Sequence, residues 1–344
     1  MAGETSRIVG VDAARGLAIL GMFVAHAIPR SGDAELLADG RSSILFATLA
    51  GLSLGIMTGA ARPLPRGLRR DRALTIALRA LYLFLLGLVL SSLGSEIAII
   101  LDYYAIMFLL LTPLLFLPRW ALAVIAVVLA GVAPLVASAA EAAETAGNGG
   151  GPVAGVFRDY LLTGHYPALV WLPYLLVGLI AARSDLRSPR TQRWMIGAGT
   201  AAAVLGYGAA RLLPGVTAEA HSDSTAEVVG SGGLAVAVIG TLLWLTAIER
   251  DRAGRIAGTV LSPVAATGSM ALTVYTMQIV TLAVFVVLRT DSGGAIQYPG
   301  WPLLIGMTIG ALAFATAWRR AFGAGPLERL LRRATQLRWS KVVS

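Results

Sequence analysis

Apolar residues run along this chain in blocks of membrane length, separated by short polar stretches rich in arginine. Blocks of this kind predict transmembrane helices. They fall at about 8–28, 42–61, 73–93, 97–117, 120–140, 166–182, 194–213, 228–248, 262–288 and 301–318. The expected fold is all-α: a polytopic transmembrane bundle of about ten spans occupying 1–320. A basic amphipathic tail, 321–344, follows; its Leu327, Leu330, Leu331 and Leu337 interleave with basic residues, so it is expected on the inner membrane surface. Arg62–Arg72 reads as a short rigid loop. The 141–155, 214–227 and 289–300 segments read as outward loops, the first flexible through its Gly147–Gly151 cluster. Gly51, Gly55 and Gly59, four residues apart, predict close helix packing, because lipid supplies no hydrophobic drive between helices. Pro134, Pro173 and Pro263 are expected to kink spans around a cavity. The chain shows no convincing internal repeat, which disfavours the commonest transporter architectures.

Composition sharpens the class. Of 344 residues, 56% are hydrophobic and 14% charged, with mean hydropathy +0.74; soluble domains carry about 25% charged residues. The absence of cysteine excludes disulfides, thiolate metal sites and a cysteine nucleophile. Three histidines without metal-ligand spacing argue against a bound metal. The net charge of +9 would suit nucleic acid, but its distribution suits a membrane. With the N-terminus in the cytoplasm, inner segments hold 22 Arg and Lys residues; outer segments hold five, Arg30, Arg41, Arg158, Arg211 and Arg289. The positive-inside rule then places both termini in the cytoplasm and leaves Arg79 inside the third span. Asp12 and Arg15 interrupt the start of the first apolar run, so this segment is expected to be a retained helix, not a cleaved signal. Arginine richness with one lysine, Lys341, suggests a GC-rich bacterial genome and a multi-pass protein of the plasma membrane.

Ionisable groups inside a bilayer are costly, so each needs a reason. Asp12 and Arg15, at i and i+3, form either an orienting interfacial ion pair or a phosphate site in which Asp12 holds the guanidinium. His26 lies eleven residues beyond Arg15; at about 100° per residue the two share a helix face, with a rise of roughly 16 Å. That rise is comparable to an extended pantetheine arm, so one helix can hold the phosphates of coenzyme A and present an imidazole to its thioester. His26 is either a satisfied interfacial residue or a catalytic one that acts as general base or carries the acyl group itself; general base is preferred. Asp102 either orients His26, binds a polar acceptor or pairs with Arg79. His165 and Tyr166 line an acceptor entrance or form an interfacial aromatic belt. His221, in an acidic loop, reads as solvated and irrelevant. Ser269, Thr273, Tyr275 and Gln278 are polar positions of the ninth span, with Tyr275 and Gln278 as cavity residues.

The segment Val11–Ala18 followed by His26 resembles the opening helix of membrane acyltransferases, in which an arginine, ten residues and a histidine are a hallmark of acyltransferase family three. The stretches 101–111, 160–178, 268–278 and 322–331 resemble successive motifs of a sister group, the DUF418 and heparan-alpha-glucosaminide N-acetyltransferase-like proteins. That group usually has asparagine where His26 stands and a proposed catalytic histidine in the following loop; residues 27–41 contain none. The resemblance implies transfer of an acyl group, most simply acetyl, from cytoplasmic acyl-CoA to a hydroxyl or amine of an outward-facing glycan, lipid or small polar acceptor. Arg15 with Arg66, Arg69 or Arg70 would grip the coenzyme phosphates, and no metal is required. The other reading is a transporter or exporter of a small metabolite or lipid, using the same cavity without chemistry. Whether two copies pair as a homodimer is left open.

Overall fold

The computed structural model describes residues 7–28, 35–147, 150–247, 252–293 and 300–335. Outside these lie Arg30, the 148–149 part of the glycine cluster, Arg250, the 294–299 part of the last outward turn, and Leu337 and Lys341 of the tail. The side chains of Arg252 and Arg255 are likewise not described.

The described residues form helices joined by short turns, with no strand. In order they are α1 (Val9–Ala27), α2 (Arg41–Met57), α3 (Arg66–Ser91), α4 (Leu101–Leu111), α5 (Arg119–Thr145), α6 (Pro152–Arg158) and α7 (Ala168–Ala182). Then follow α8 (Pro189–Leu212), α9 (Thr225–Ala247), α10 (Arg252–Ser269), α11 (Ala271–Asp291), α12 (Gly300–Phe322) and α13 (Pro326–Thr335). Seven helical stretches among the described residues are long and apolar enough to cross a membrane: α1, α3, α5, 152–182, α9, α11 and α12. This is a membrane protein. Helix α2 and the 101–114 segment are apolar but shorter.

Proline starts several helices where its missing N–H costs nothing: Pro65, Pro118 and Pro167 precede α3, α5 and α7, and Pro152 and Pro189 open α6 and α8. The expected rigid loop 62–72 is therefore shorter than the sequence suggested, since Arg66–Arg72 already forms the first turns of α3. Pro134, Pro173 and Pro263 do lie inside helices, but none lines either cavity described below.

The expected ninth span, 262–288, is not one helix. It breaks at Met270 (φ −129°, ψ 45°), between α10 and α11. The break follows a close helix crossing: a Cβ on Gly268 would strike the Asp12 carbonyl, and one on Gly16 the Val264 carbonyl, so α1 and α10 touch backbone to backbone. A break in an apolar region leaves N–H groups that must find acceptors. Glu328 of α13 supplies one, accepting from the backbone N–H of Leu272 (2.7 Å) and Thr273 (3.1 Å) and from the Thr273 hydroxyl (2.6 Å). The described part of the tail thus docks on α3 and α11, with Leu331 buried.

Gly51 and Gly55 pack against α7 as small-residue spacing predicts, with Gly178 of α7 against the Thr48 carbonyl. Gly59 is the exception: it takes a positive φ of 108° in the turn after α2. At that turn the buried Arg183 donates to the carbonyls of Gly55, Ala60 and Leu115 and to the Thr58 hydroxyl. It ties the ends of α2, α4 and α7 together. Helix α1 packs on α2, α9, α10, α11 and α12 and so runs through the middle of the bundle.

Candidate functional site

Two cavities open on either side of α1's midpoint. The first, of about 830 Å³, is lined by Arg7, Arg15, Arg72, Arg79 and Arg332, by Glu328 and Asp71, and deeper by Phe46, Leu101, Tyr104 and Tyr275. Arg7 and Thr335 both border it, so the two ends of the described chain lie at one end of the bundle. The second, about 440 Å³, holds His26, Asp39, Ser43, Glu96, His165, Tyr166 and His221 at the opposite end. Arg15 and His26 therefore face cavities, as their shared helix face predicts, but they open into two separate ones.

Asp12 is 3% exposed and sits between two guanidiniums: Arg7 Nε at 2.9 Å from Oδ2 and Arg15 Nη1 at 3.0 Å from Oδ1. Arg15 Nη2 also donates to Ser53 Oγ (2.6 Å). Asp12 does not line the cavity; it fixes Arg15, which does. Arg79 adds a cation that the sequence left as a partner for Asp102. Arg72 and Arg79, seven residues apart, share one face of α3 and both reach the cavity. Arg79 makes no hydrogen bond or ion pair with any described residue. The expected phosphate ligands Arg66, Arg69 and Arg70 do not line this cavity; Arg66 and Arg70 are exposed, and Arg69 lies over the Phe116 ring while donating to the Leu64 carbonyl. Helical phase explains the difference, because these three residues face other directions from Arg72 and Arg79.

In the second cavity, Gln278 reaches across from α11, and its Nε2 lies 2.7 Å from His26 Nδ1. Gln278 is thus His26's neighbour, while its own Oε1 has no partner among the described residues. Asp102 does not take the orienting place beside His26. It accepts a hydrogen bond from the Tyr160 hydroxyl (2.8 Å), lines neither cavity and does not pair with Arg79. The His165 ring packs 4.6 Å from Tyr166 and 4.2 Å from His221. His221, expected to be irrelevant, lines the cavity and stacks on Trp171.

What brings His221 there is Glu227 at the start of α9. Its carboxylate accepts the backbone N–H of His221 and of Asp223, both at 2.9 Å, and the Ser222 hydroxyl at 3.2 Å. It folds the 213–224 loop over the cavity, with His221 and Asp223 at positive φ. Asp223, held by the Trp171 indole N–H at 3.3 Å, has its carboxyl pushed up to about 8, first by burial and then by the Glu227 charge.

Between the cavities lies a layer of tyrosines. Tyr104 and Tyr275 close the first cavity, and Tyr166 closes the second. The Ile100 N–H donates to the Tyr275 hydroxyl at 3.4 Å, and the Tyr166 hydroxyl donates to the Ala98 carbonyl at 3.5 Å. Both bonds are long and weak. Among the described residues, no group of three or more His, Asp or Glu side chains is arranged to hold a metal ion.

A basic cavity and an imidazole cavity thus lie toward opposite ends of α1, with Tyr104, Tyr275 and Tyr166 among their lining residues, in a membrane protein. Residues 179–338 match a family model described as "Protein of unknown function (DUF418)", in agreement with the sequence resemblance to that family. No curated protein matches the chain.

Proposed function

We propose that this protein is a membrane acyltransferase that takes an acyl group, most simply acetyl, from acyl-CoA in the basic cavity. The acceptor, a hydroxyl or amine of a glycan, lipid or small polar molecule, enters by the cavity of His26, His165 and Tyr166. The observation that carries the reading is that Arg15 and His26, on one helix, open into cavities at opposite ends of the bundle. The arginine-rich charge bias of the first cavity's end supports a reading with the donor side in the cytoplasm of a bacterial plasma membrane.

The donor fits the residues present. A volume of about 830 Å³ lies within the range of roughly 300–1,000 Å³ usual for ligand pockets. Arg15 is pre-oriented by Asp12, and Arg79 lines the same cavity without an ion pair to any described residue. Guanidinium groups bind phosphate through paired N–H donors. At the other cavity, His26 takes the proton from the acceptor hydroxyl or amine as it attacks the thioester carbon. The carbon–sulfur bond breaks, the new ester or amide bond forms, and the proton passes to the departing thiolate. Gln278 holds the imidazole by its Nδ1. Donor and acceptor meet only when the tyrosine layer parts, and the hydrogen bonds of Tyr275 and Tyr166 across it are long.

The test is turnover by the full-length protein in detergent with acetyl-CoA. Wild type hydrolyses or transfers the acetyl group, and His26→Ala abolishes this while remaining folded. Retained turnover in His26→Ala removes the imidazole from the chemistry. The closed tyrosine layer between opposed cavities favours a second reading, a transporter that alternates between them. Substrate uptake into proteoliposomes without any acyl donor would support that reading instead.

A further inference from the structure

Tyr104 stands out at the closed end of the basic cavity. It is 2% exposed, and its hydroxyl has no hydrogen-bond partner among the described residues. A buried hydroxyl without a partner is costly, and such groups persist where something else satisfies them. The ring is fixed, stacked on Phe46 at 6.0 Å and on Phe108 at 6.1 Å between centroids. All three side chains line the cavity. Tyr275, its companion at the same end, differs: its hydroxyl already accepts the Ile100 N–H. Tyr104 lines the same cavity as Arg15 and Arg79, so a donor held by those guanidiniums shares its space with this hydroxyl.

We propose that the Tyr104 hydroxyl donates a hydrogen bond to the acyl carbonyl oxygen of the bound donor. This inference rests on the acyltransferase reading and adds a catalytic residue to it. A neutral O–H aimed at the carbonyl oxygen polarises the C=O bond and stabilises the negative charge that grows on that oxygen as the acceptor adds. The proton stays on Tyr104 throughout; the acceptor's proton goes by way of His26 to the thiolate. The same bond holds the acyl carbon against the tyrosine layer, on the side from which transfer must occur.

The experiment compares acetyl-CoA with its thioether analogue, S-ethyl-CoA, which lacks the carbonyl oxygen, on full-length protein by calorimetry. Wild type is expected to bind acetyl-CoA roughly three- to tenfold tighter than the thioether, the worth of one neutral hydrogen bond. Tyr104→Phe is expected to bind the two equally and to lose about a hundredfold in transfer rate, as removal of an oxyanion donor does. It should keep wild-type affinity for free coenzyme A. Equal binding of the two compounds by wild type overturns the Tyr104 assignment, and that result needs no variant to fold. Undiminished transfer by Tyr104→Phe overturns it too, while leaving the acyltransferase reading intact. If wild type binds neither compound, both the assignment and the reading beneath it fall.

Discussion

Gln278 and His26 lie 252 residues apart in sequence, yet their side chains meet at 2.7 Å between Nε2 and Nδ1. An amide N–H pointing at Nδ1 leaves the proton of a neutral ring on Nε2. Turning the amide over presents Oε1 to an Nδ1–H and frees the Nε2 lone pair to act as base. Gln278 can serve both states because its Oε1 is otherwise unengaged. Replacing it with methionine should lower kcat by about tenfold or more, the equivalent of one lost hydrogen bond. KM for acetyl-CoA should stay unchanged, and Gln278→Glu, which keeps an acceptor for Nδ1–H, should retain more activity than Gln278→Met. Steady-state kinetics on the three proteins decide it; equal kcat in all three contradicts the positioning role.

The arginines of the basic cavity should separate cleanly. Arg15→Ala and Arg79→Ala are each expected to weaken binding of free coenzyme A by about 10- to 100-fold, the range for a charge-assisted hydrogen bond. Arg66→Ala and Arg70→Ala, both exposed and away from the cavity, should bind as wild type does. Calorimetric titration measures all four, and an inverted order would move the phosphate site to the start of α3.

Arg183 serves architecture. Its guanidinium bonds to three carbonyls and one hydroxyl where α2, α4 and α7 end. Arg183→Met strands those buried acceptors. A loss of about 2 kcal/mol or more is expected, lowering the melting temperature by roughly 5 °C. Thermal unfolding in detergent checks this, with Arg190→Met, at the exposed start of α8, as the unaffected comparison.

The loop over the His26 cavity should respond to pH through Asp223. Its folded carboxyl sits at about 8, against 3.8 ordinarily. The folded state therefore binds this proton more tightly than the unfolded state. Its contribution is fully present below about pH 4 and is lost as pH rises through about 8. Asp223→Asn should flatten that part of the stability–pH curve. Melting temperatures at a series of pH values measure it; identical slopes in both proteins would contradict the assignment.

How far the sequence reached depends on the kind of signal each feature carries. Arg15 and His26 were legible because both lie on one uninterrupted helix, where a fixed angle per residue converts spacing into direction. Close packing at Gly51 and Gly55 was legible for the same reason. The break at Met270 was not: no proline marks it, and its cause is a crossing of Gly268 on Asp12, a contact between residues 256 positions apart by subtraction of their numbers. Arg79 read as a buried counter-ion because its true neighbours come from α1 and α13. Asp102 was assigned to His26 by shared depth in the membrane, but depth does not fix direction around a helix axis. The contact of Glu328 with the start of α11 was not legible, because amphipathicity marks an apolar face without saying which helices it meets.

The most direct measurement is a density map of the full-length protein with coenzyme A added. The account expects phosphates within hydrogen-bond distance of Arg15 and Arg79, with the pantetheine arm running toward Tyr104. A map with coenzyme A seated elsewhere, or with the basic cavity filled by lipid in its presence, would contradict it.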